Sequence, residues 1–344
     1  MKTVSHVSPN AGLLPEAGAD ALPQAVPAPR RRVPASPLEP TSLSKWLAGI
    51  LVIGYAVVSL IPLAWIFMTS FRTPNDAIAY PPKVVTEQSL VGFVNLFTTR
   101  SRVSQEELAS LPPPATWYEG LVREQQMILA GPSRFIDRYS NSLLIGFGST
   151  LVSVVLGTLA AYAFSRFRVP GKDDLLFFIL STRMMPPIAI AIPVYLMFRH
   201  VGLNDTHVGL ILLYTVVNLS LSVWLLKGFM DEIPREYEEA AMVDGYTRWQ
   251  AFLKVVLPQA ATGIATTAIF CLIFAWNEYA FALLLTSGTA QTSPPFIPTI
   301  IGEGGLDWPA MAAGTTLFLL PVLMFTVLLR KHLLRGVTFG AIRK

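Results

Sequence analysis

From Trp46 to Phe71 the chain carries no charged side chain, and five further stretches are almost as apolar: Tyr139–Ser165, Leu175–Phe198, Val208–Leu226, Ala261–Leu285 and Trp308–Leu329. A helix needs about 20 mostly apolar residues to cross the hydrocarbon core of a bilayer. Lipid offers no hydrogen bond to a bare peptide group, so such runs must be helices that satisfy their own backbones. Two ionisable side chains interrupt them, Arg183 in the third run and Glu278 in the fifth. Composition agrees: 52% of residues are hydrophobic and 14% charged, whereas a soluble domain carries about a quarter charged residues. The expected fold is all-α, a polytopic membrane protein with six transmembrane helices.

Several function classes drop out early. A net charge of +4 spread over 344 residues is no nucleic-acid footprint. The single cysteine, Cys271, lies in an apolar run, and His6, His200, His207 and His332 are scattered without ligand spacing. Neither a disulfide framework nor a metal site is expected, and no catalytic or cofactor-binding residue stands out. A phosphate-binding loop needs a glycine five residues before its Gly-Lys. At Gly171-Lys172 that position is Arg166, and Asp173 follows the lysine. The chain is not expected to bind ATP.

Residues 1–44 are rich in proline and alanine and lack the apolar core of a signal peptide, so they read as a disordered cytosolic tail. Arg30-Arg31-Arg32 resembles a twin-arginine signal only superficially, because the stretch that follows is broken by prolines. Residues 45–344 form the transmembrane domain. With the N-terminus inside, the short cytosolic segments hold Arg166, Arg168, Lys172, Lys227, Arg235, Arg248, Lys254 and the basic residues from Arg330 onward. The short outer loops near 199–207 and 286–307 hold only Arg199. The excess of Lys and Arg inside puts both termini in the cytosol. The long segment 72–138 then faces outward. Ser104 and Glu107 predict a capping box and a short helix near Gln105–Ser110, and this loop is read mainly as a shield over the helix tops. In the second span Ser149, Ser153, Gly157 and Ala161 make a stripe of small residues suited to close helix packing within the chain.

The cytosolic segment 227–260 is the most informative part of the chain. Pro234 suits a first helical turn, and Glu236, Glu238 and Glu239 place negative charge at its positive end. Ala240, Ala241, Met242 and Val243 continue the helix, and Gly245 supplies the left-handed residue that ends it. Thr247 with Gln250 predicts a second capping box and a helix through Phe252 to Val256, closed by Pro258. Two short helices turning on a glycine form a rigid elbow, which suits a part that transmits force.

Glu239-Ala240-Ala241, then Gly245 after three intervening residues, and Val255-Val256-Leu257-Pro258 resemble the EAA motif of ABC importer permeases; Val255 replaces the usual isoleucine. Thr182-Arg183-Met184-Met185-Pro186-Pro187, Ala275-Trp276-Asn277-Glu278 and the ending Gly336-Val337-Thr338-Phe339-Gly340-Ala341 extend the likeness. The chain is similar to type I importer permeases, in particular the smaller permease of the maltose transporter group, which serves sugars, polyols and glycerol phosphate. The likeness runs from about residue 46 to the end, with roughly 98–135 resembling an addition.

The resemblance implies a cell inner-membrane subunit paired with a second permease, fed by an extracytoplasmic solute-binding protein. A separate ATPase dimer would bind ATP and Mg. Glu239, Ala240, Ala241, Gly245, Leu257 and Pro258 would form the ATPase-coupling element, with Glu239 making an ionic contact, and Gly340–Lys344 would reach between the ATPases. Trp276, Asn277, Glu278, Tyr279 and Arg183 are candidates for the substrate path, because carboxylate, amide and aromatic ring together suit a polyhydroxylated ligand. Pairing of Glu278 with Arg183 within the bundle is the competing reading. An ABC permease for another small solute (glycerol phosphate, osmolyte or peptide) and a secondary transporter remain alternatives.

Overall fold

The computed structural model describes residues 42–302 and 305–339, with residues 329–339 described by their backbone alone. The tail expected over 1–44 falls outside the described residues except for Ser42–Ser44, which form the first turn of a helix. The terminal stretch 340–344 also falls outside. The first helix, α1 (Ser42–Thr69), is continuous through Pro62. The described residues 42–56 belong to one compact unit and those from Val57 onward to another.

Segment 72–138 has more structure than its sequence suggested. Helix α2 (Val91–Phe97) leads into strand β1 (Thr98–Arg102), then helices α3 (Gln105–Ser110) and α4 (Trp117–Arg123), then strand β2 (Met127–Pro132). The strands pair antiparallel, Thr98 opposite Pro132 and Arg102 opposite Met127, with an irregularity at Thr99 and Arg100. The fold is helical, as expected, with a small two-stranded hairpin in this insertion. The Ser104–Glu107 capping box forms as expected, and its helix occupies Gln105–Ser110. A buried polar cluster fixes the insertion. Arg100 Nη2 lies 2.9 Å from Asp307 Oδ2, and Asn95 Nδ2 donates to both Asp307 Oδ2 and Gln125 Oε1 at 2.8 Å. The Arg100 and Asp307 side chains are 4% and 1% exposed.

The bundle is built on α5 (Phe135–Arg166). Ser149, Ser153, Gly157 and Ala161 are all buried along one of its sides. Across that stripe lies α8 (His207–Glu232), reached after α6 (Lys172–Ser181) and α7 (Pro187–His200). A Cβ on Gly157 would fall 2.4 Å from Ser222 Cβ on α8, a separation no side chain survives. Helix-to-helix contact through small residues is thus within the chain, as expected.

Among the described residues four helices are long and apolar enough to cross a membrane, and up to six spans result if each of two bent helix pairs counts as one. The third expected span, Leu175–Phe198, is one of the bent pairs: Lys172–Met184 and Pro187–His200 meet at 94°. Pro186 drives Met185 into the extended region (φ −69°, ψ 124°), and Pro187 has no N–H with which to continue the ladder.

In the segment 227–260, α9 (Glu236–Val243) is followed by α10 (Arg248–Gln259), and α10 meets α11 (Ala261–Trp276) at 71°. The fifth expected span, Ala261–Leu285, also breaks. Helix α11 ends at Trp276, and α12 (Ala280–Leu285) starts afresh beyond Asn277, Glu278 and Tyr279. The last helix, α13 (Trp308–Phe339), runs through Pro321.

Candidate functional site: a helical elbow and a membrane-level cavity

The elbow begins where α8 ends at Glu232. Pro234 stays outside the next helix, whose first residue is Glu236, so it does not occupy the first turn as expected. Glu236, Glu238 and Glu239 do occupy that turn, where a carboxylate offsets the unpaired N–H groups and the helix dipole. Glu239 and Ala240 are exposed, while Ala241 is buried. Beyond Asp244, Gly245 has φ +91°. The Gly245 N–H donates to Met242 O (3.1 Å) and the Tyr246 N–H to Ala241 O (3.0 Å). This paired arrangement satisfies the last carbonyls of a helix and demands a left-handed residue. No atom lies within 4 Å of a Cβ built on Gly245, so the glycine is required by backbone conformation and not by space.

The Thr247–Gln250 capping box then opens α10. Pro258 does not close this helix at Val256. Over Phe252–Val256 the ladder widens to a π turn, with the Leu257 N–H donating to Phe252 O, and the helix passes through Pro258 to Gln259. Phe252 and Val256 are buried against Tyr162, Leu226 and Met230, with Leu257 packed beside them and Pro258 exposed.

What orients the elbow is a residue the sequence offered only as a dipole charge. Glu238 is 4% exposed. The Tyr162 hydroxyl donates to its Oε2 at 2.9 Å, and Arg166 Nε donates to its Oε1. The rest of the Arg166 guanidinium donates to Met230 O (3.1 Å) and Ile233 O (2.9 Å), carbonyls at the end of α8 and just beyond it. Arg235 Nη2 donates in turn to Ser165 O at 2.7 Å, and Ser165 Oγ to Asp231 Oδ1 at 2.6 Å.

Among the apolar helices a cavity of about 780 Å³ lies between α7, α8 and the break after α11. Its walls are mostly apolar, including Val194, Leu213, Phe274 and Phe281, with Arg183 and Glu278 as its charged members. These two expected site residues are brought to one cavity but do not pair. Glu278 Oε2 accepts from the Tyr214 hydroxyl at 2.8 Å. Its carboxylate also accepts the Phe281 and Ala282 N–H groups at 3.0 and 3.1 Å, capping α12. The Arg183 guanidinium lies 4.1 Å over the Phe274 ring, and its Nη1 is buried with no acceptor among the described residues.

The other expected members stand apart. Trp276 is core: it is 2% exposed, stacks on Phe318 at 4.8 Å and donates Nε1–H to Phe318 O at 3.0 Å. Asn277 is exposed and donates back to Ile273 O, and Tyr279 is also exposed. None of the three lines the cavity. Tyr214 and Phe274 were missed because each sits inside an apolar run, where an aromatic residue reads as packing.

At one end of α12 the loop 286–292 is clamped. Asp205, itself at φ +53°, accepts N–H groups of Ser287 (3.3 Å), Thr289 (2.8 Å) and Ala290 (3.0 Å). Partial burial pushes its carboxyl pKa up, but the converging amide donors outweigh burial and hold it below the ordinary aspartate value. Among the described residues no cluster of His, Cys, Asp or Glu is arranged to hold a metal ion.

Among the described residues four helices and two bent helix pairs are apolar enough to span a membrane, and a helix–glycine–helix elbow joins two of these elements, the features of a polytopic membrane protein. Residues 153–339, more than half of the chain, match the family described as binding-protein-dependent transport system inner membrane component, and the chain belongs to that family. It is 34% identical to the trehalose transport system permease protein SugB of Mycobacterium tuberculosis, over 85% of this chain and 94% of that one. It is 33% identical to the diacetylchitobiose uptake system permease protein DasC of Streptomyces coelicolor, over 82% and 91%. A crystal structure of a bacterial ABC transporter that imports the acidic polysaccharide alginate shares the fold, with a TM-score of 0.61 at 19% identity over 86% of this chain and 99% of that one. The protein is a membrane-embedded ABC importer permease, a non-enzymatic subunit.

Proposed function

We propose that this permease translocates a sugar or polyol delivered by an extracytoplasmic solute-binding protein, and that a separate ATPase dimer holding ATP and Mg drives it through the 227–260 elbow. The observation that carries the coupling reading is the elbow itself. Glu239 and Ala240 are presented outward on a helix whose exit angle is set by Gly245 and whose base is tied to the bundle. A second permease would complete the pore. The proposed topology is a cell inner membrane with both termini cytoplasmic and segment 72–138 outside. The sugar or polyol reading draws on the transport systems named for the relatives. It is also supported by a cavity within the usual ligand-pocket range of about 300–1,000 Å³, where Arg183, Glu278 and an aromatic wall offer hydrogen bonds beside an apolar stacking surface.

Reconstituting the full complex with Glu239→Lys and with Gly245→Val tests the coupling. Glu239→Lys reverses the charge offered to the ATPase, and a valine in place of Gly245 cannot adopt φ +91° without strain. Neither touches the buried core, so both complexes should insert normally yet lose ATP-driven uptake and binding-protein-stimulated hydrolysis. Parental ATPase retention and uptake in both would refute the coupling role. Uptake assays with a panel of neutral saccharides and polyols test the substrate class; transport of none of them, with transport of a peptide or betaine, would refute it.

A further inference from the structure

The elbow's helix α9 has eight residues, and isolated helices shorter than about 12–15 residues are marginal in water. Its direction must therefore come from what holds it, and what holds it is mostly polar. One planar guanidinium, Arg166, joins three elements: the end of its own helix α5, the carbonyls at the end of α8, and the Glu238 carboxylate on α9. Arg235 returns a bond from the start of α9 to Ser165 O, so the connector 233–235 is bridged from both sides. The Arg166 and Glu238 side chains are 4% and 5% exposed.

A buried ion pair is a poor device for stability, because desolvation offsets its attraction and an apolar replacement often stabilises as much. What it supplies is direction: the guanidinium fork fixes the angle of a carboxylate, whereas apolar contact is non-directional.

We infer that Glu238 is a positioning residue for energy coupling, and that through Arg166 it makes α9 a rigid extension of α5 and α8. An ATP-driven displacement received at Glu239 and Ala240 then moves both spans together and is not absorbed by a slack joint at Pro234. This rests on the coupling reading of the elbow proposed above. Arg166→Lys would keep the charge but lose the fork. Glu238→Gln would keep the shape but lose the charge.

The test uses the complete complex, with its ATPase and binding protein, in proteoliposomes carrying Glu238→Gln, Arg166→Lys or the milder Tyr162→Phe. Solute transported per ATP hydrolysed is the deciding quantity. With the ATPase retained and hydrolysis continuing, that ratio should fall by about fivefold or more for the first two variants, the scale of replacing a charge-assisted bond by a neutral or misaligned one. Tyr162→Phe, which leaves the ion pair intact, should fall less.

Spin labels at the exposed positions Val243 on α9 and Val155 on α5 report the joint directly. The distance distribution should be narrow in the parent and clearly wider in Glu238→Gln and Arg166→Lys. An unchanged ratio together with parental width overturns the inference. So does a proportional fall of transport and hydrolysis, which a merely structural staple would give. Should Glu238→Gln fail to assemble, Arg166→Lys and Tyr162→Phe decide by the same criteria. Parental behaviour of Glu239→Lys would instead sink the coupling reading, whereas loss with Glu239→Lys and parental ratios with all three variants would sink the positioning role alone.

Discussion

The two ends of α5 each sit beside a buried arginine–carboxylate pair, and the pairs are built for different work. Near Phe135 the Arg100–Asp307 pair belongs to a cluster with Asn95 and Gln125, where two side chains, Arg100 and Asn95, and the Ala310 N–H converge on a single carboxylate. Near Arg166 the balance shifts: Tyr162 and Arg166 share the Glu238 carboxylate, and the guanidinium also reaches two carbonyls at the main-chain end of a neighbouring helix. Convergence locks a segment in place, as the hairpin insertion is locked against the start of α13. Divergence links separate segments so that they move as one. The loop clamp at Asp205 is again convergent, three amides on one carboxylate. Fixing thus dominates beside the hairpin insertion and the 286–292 loop, and linkage dominates at the elbow.

The largest effect that would break this contrast is expected for Asp307→Ala. Removing one partner of a buried pair should cost about 3–5 kcal/mol of stability, read as a drop in the denaturation midpoint of the purified protein. Transport per ATP in the surviving folded complex should match the parent. Uncoupling by Asp307→Ala would erase the distinction between the two ends.

Glu278→Gln comes next. It removes the charge that three donors share, worth about 1.5–3 kcal/mol for bonds to a charged group, so α12 should loosen and uptake should fall while ATPase association is kept. Parental uptake would show that the cavity beside Glu278 is packing space and no solute path.

Gly245→Ala should cost about 1 kcal/mol through backbone strain alone, since the site is open; uptake should fall less than in Gly245→Val. Equal loss in both would point to a steric role for the glycine.

The smallest effect concerns acid. Because the Asp205 carboxyl is held below its ordinary value in the folded protein, its contribution is fully present above about pH 3.9, the unfolded value. That contribution disappears as pH falls through the folded value. Asp205→Asn should therefore be less stable than the parent at neutral pH, and the gap should close below about pH 4. A gap that stays at its neutral-pH size as the pH is lowered well beneath the unfolded value would show that the amides do not depend on the charge.

How much of this was legible before the fold was known depends on range. The capping boxes at Ser104 and Thr247 and the left-handed Gly245 are local, and residue spacing alone located them. The small-residue stripe of α5 pointed to close packing because the helical period is fixed, though it did not say that α8 was the neighbour. Breaks were harder. Pro186-Pro187 is incompatible with an unbroken ladder, yet the 94° turn depends on what α6 and α7 rest against. Glu278 sat in a run apolar enough to look continuous, so its position three residues before the amide it caps went unread. Strand β1, Thr-Thr-Arg-Ser-Arg, shows no apolar alternation and gave no sign of a hairpin. The Arg166–Glu238 pair lies 72 residues apart, beyond any periodicity, and each partner had a simpler local explanation.

The Arg100–Asp307 pair also imposes a timetable. Its partners are 207 residues apart, and a chain is made from its N-terminus onward. The hairpin strands are synthesised long before the carboxylate that will neutralise Arg100 leaves the ribosome. Until the segment ahead of the last helix arrives, Arg100 and Asn95 must rely on water or on temporary neighbours. The insertion is therefore among the first parts of the molecule to be made and among the last to be finished. Its closure marks a chain whose final helix has found its place.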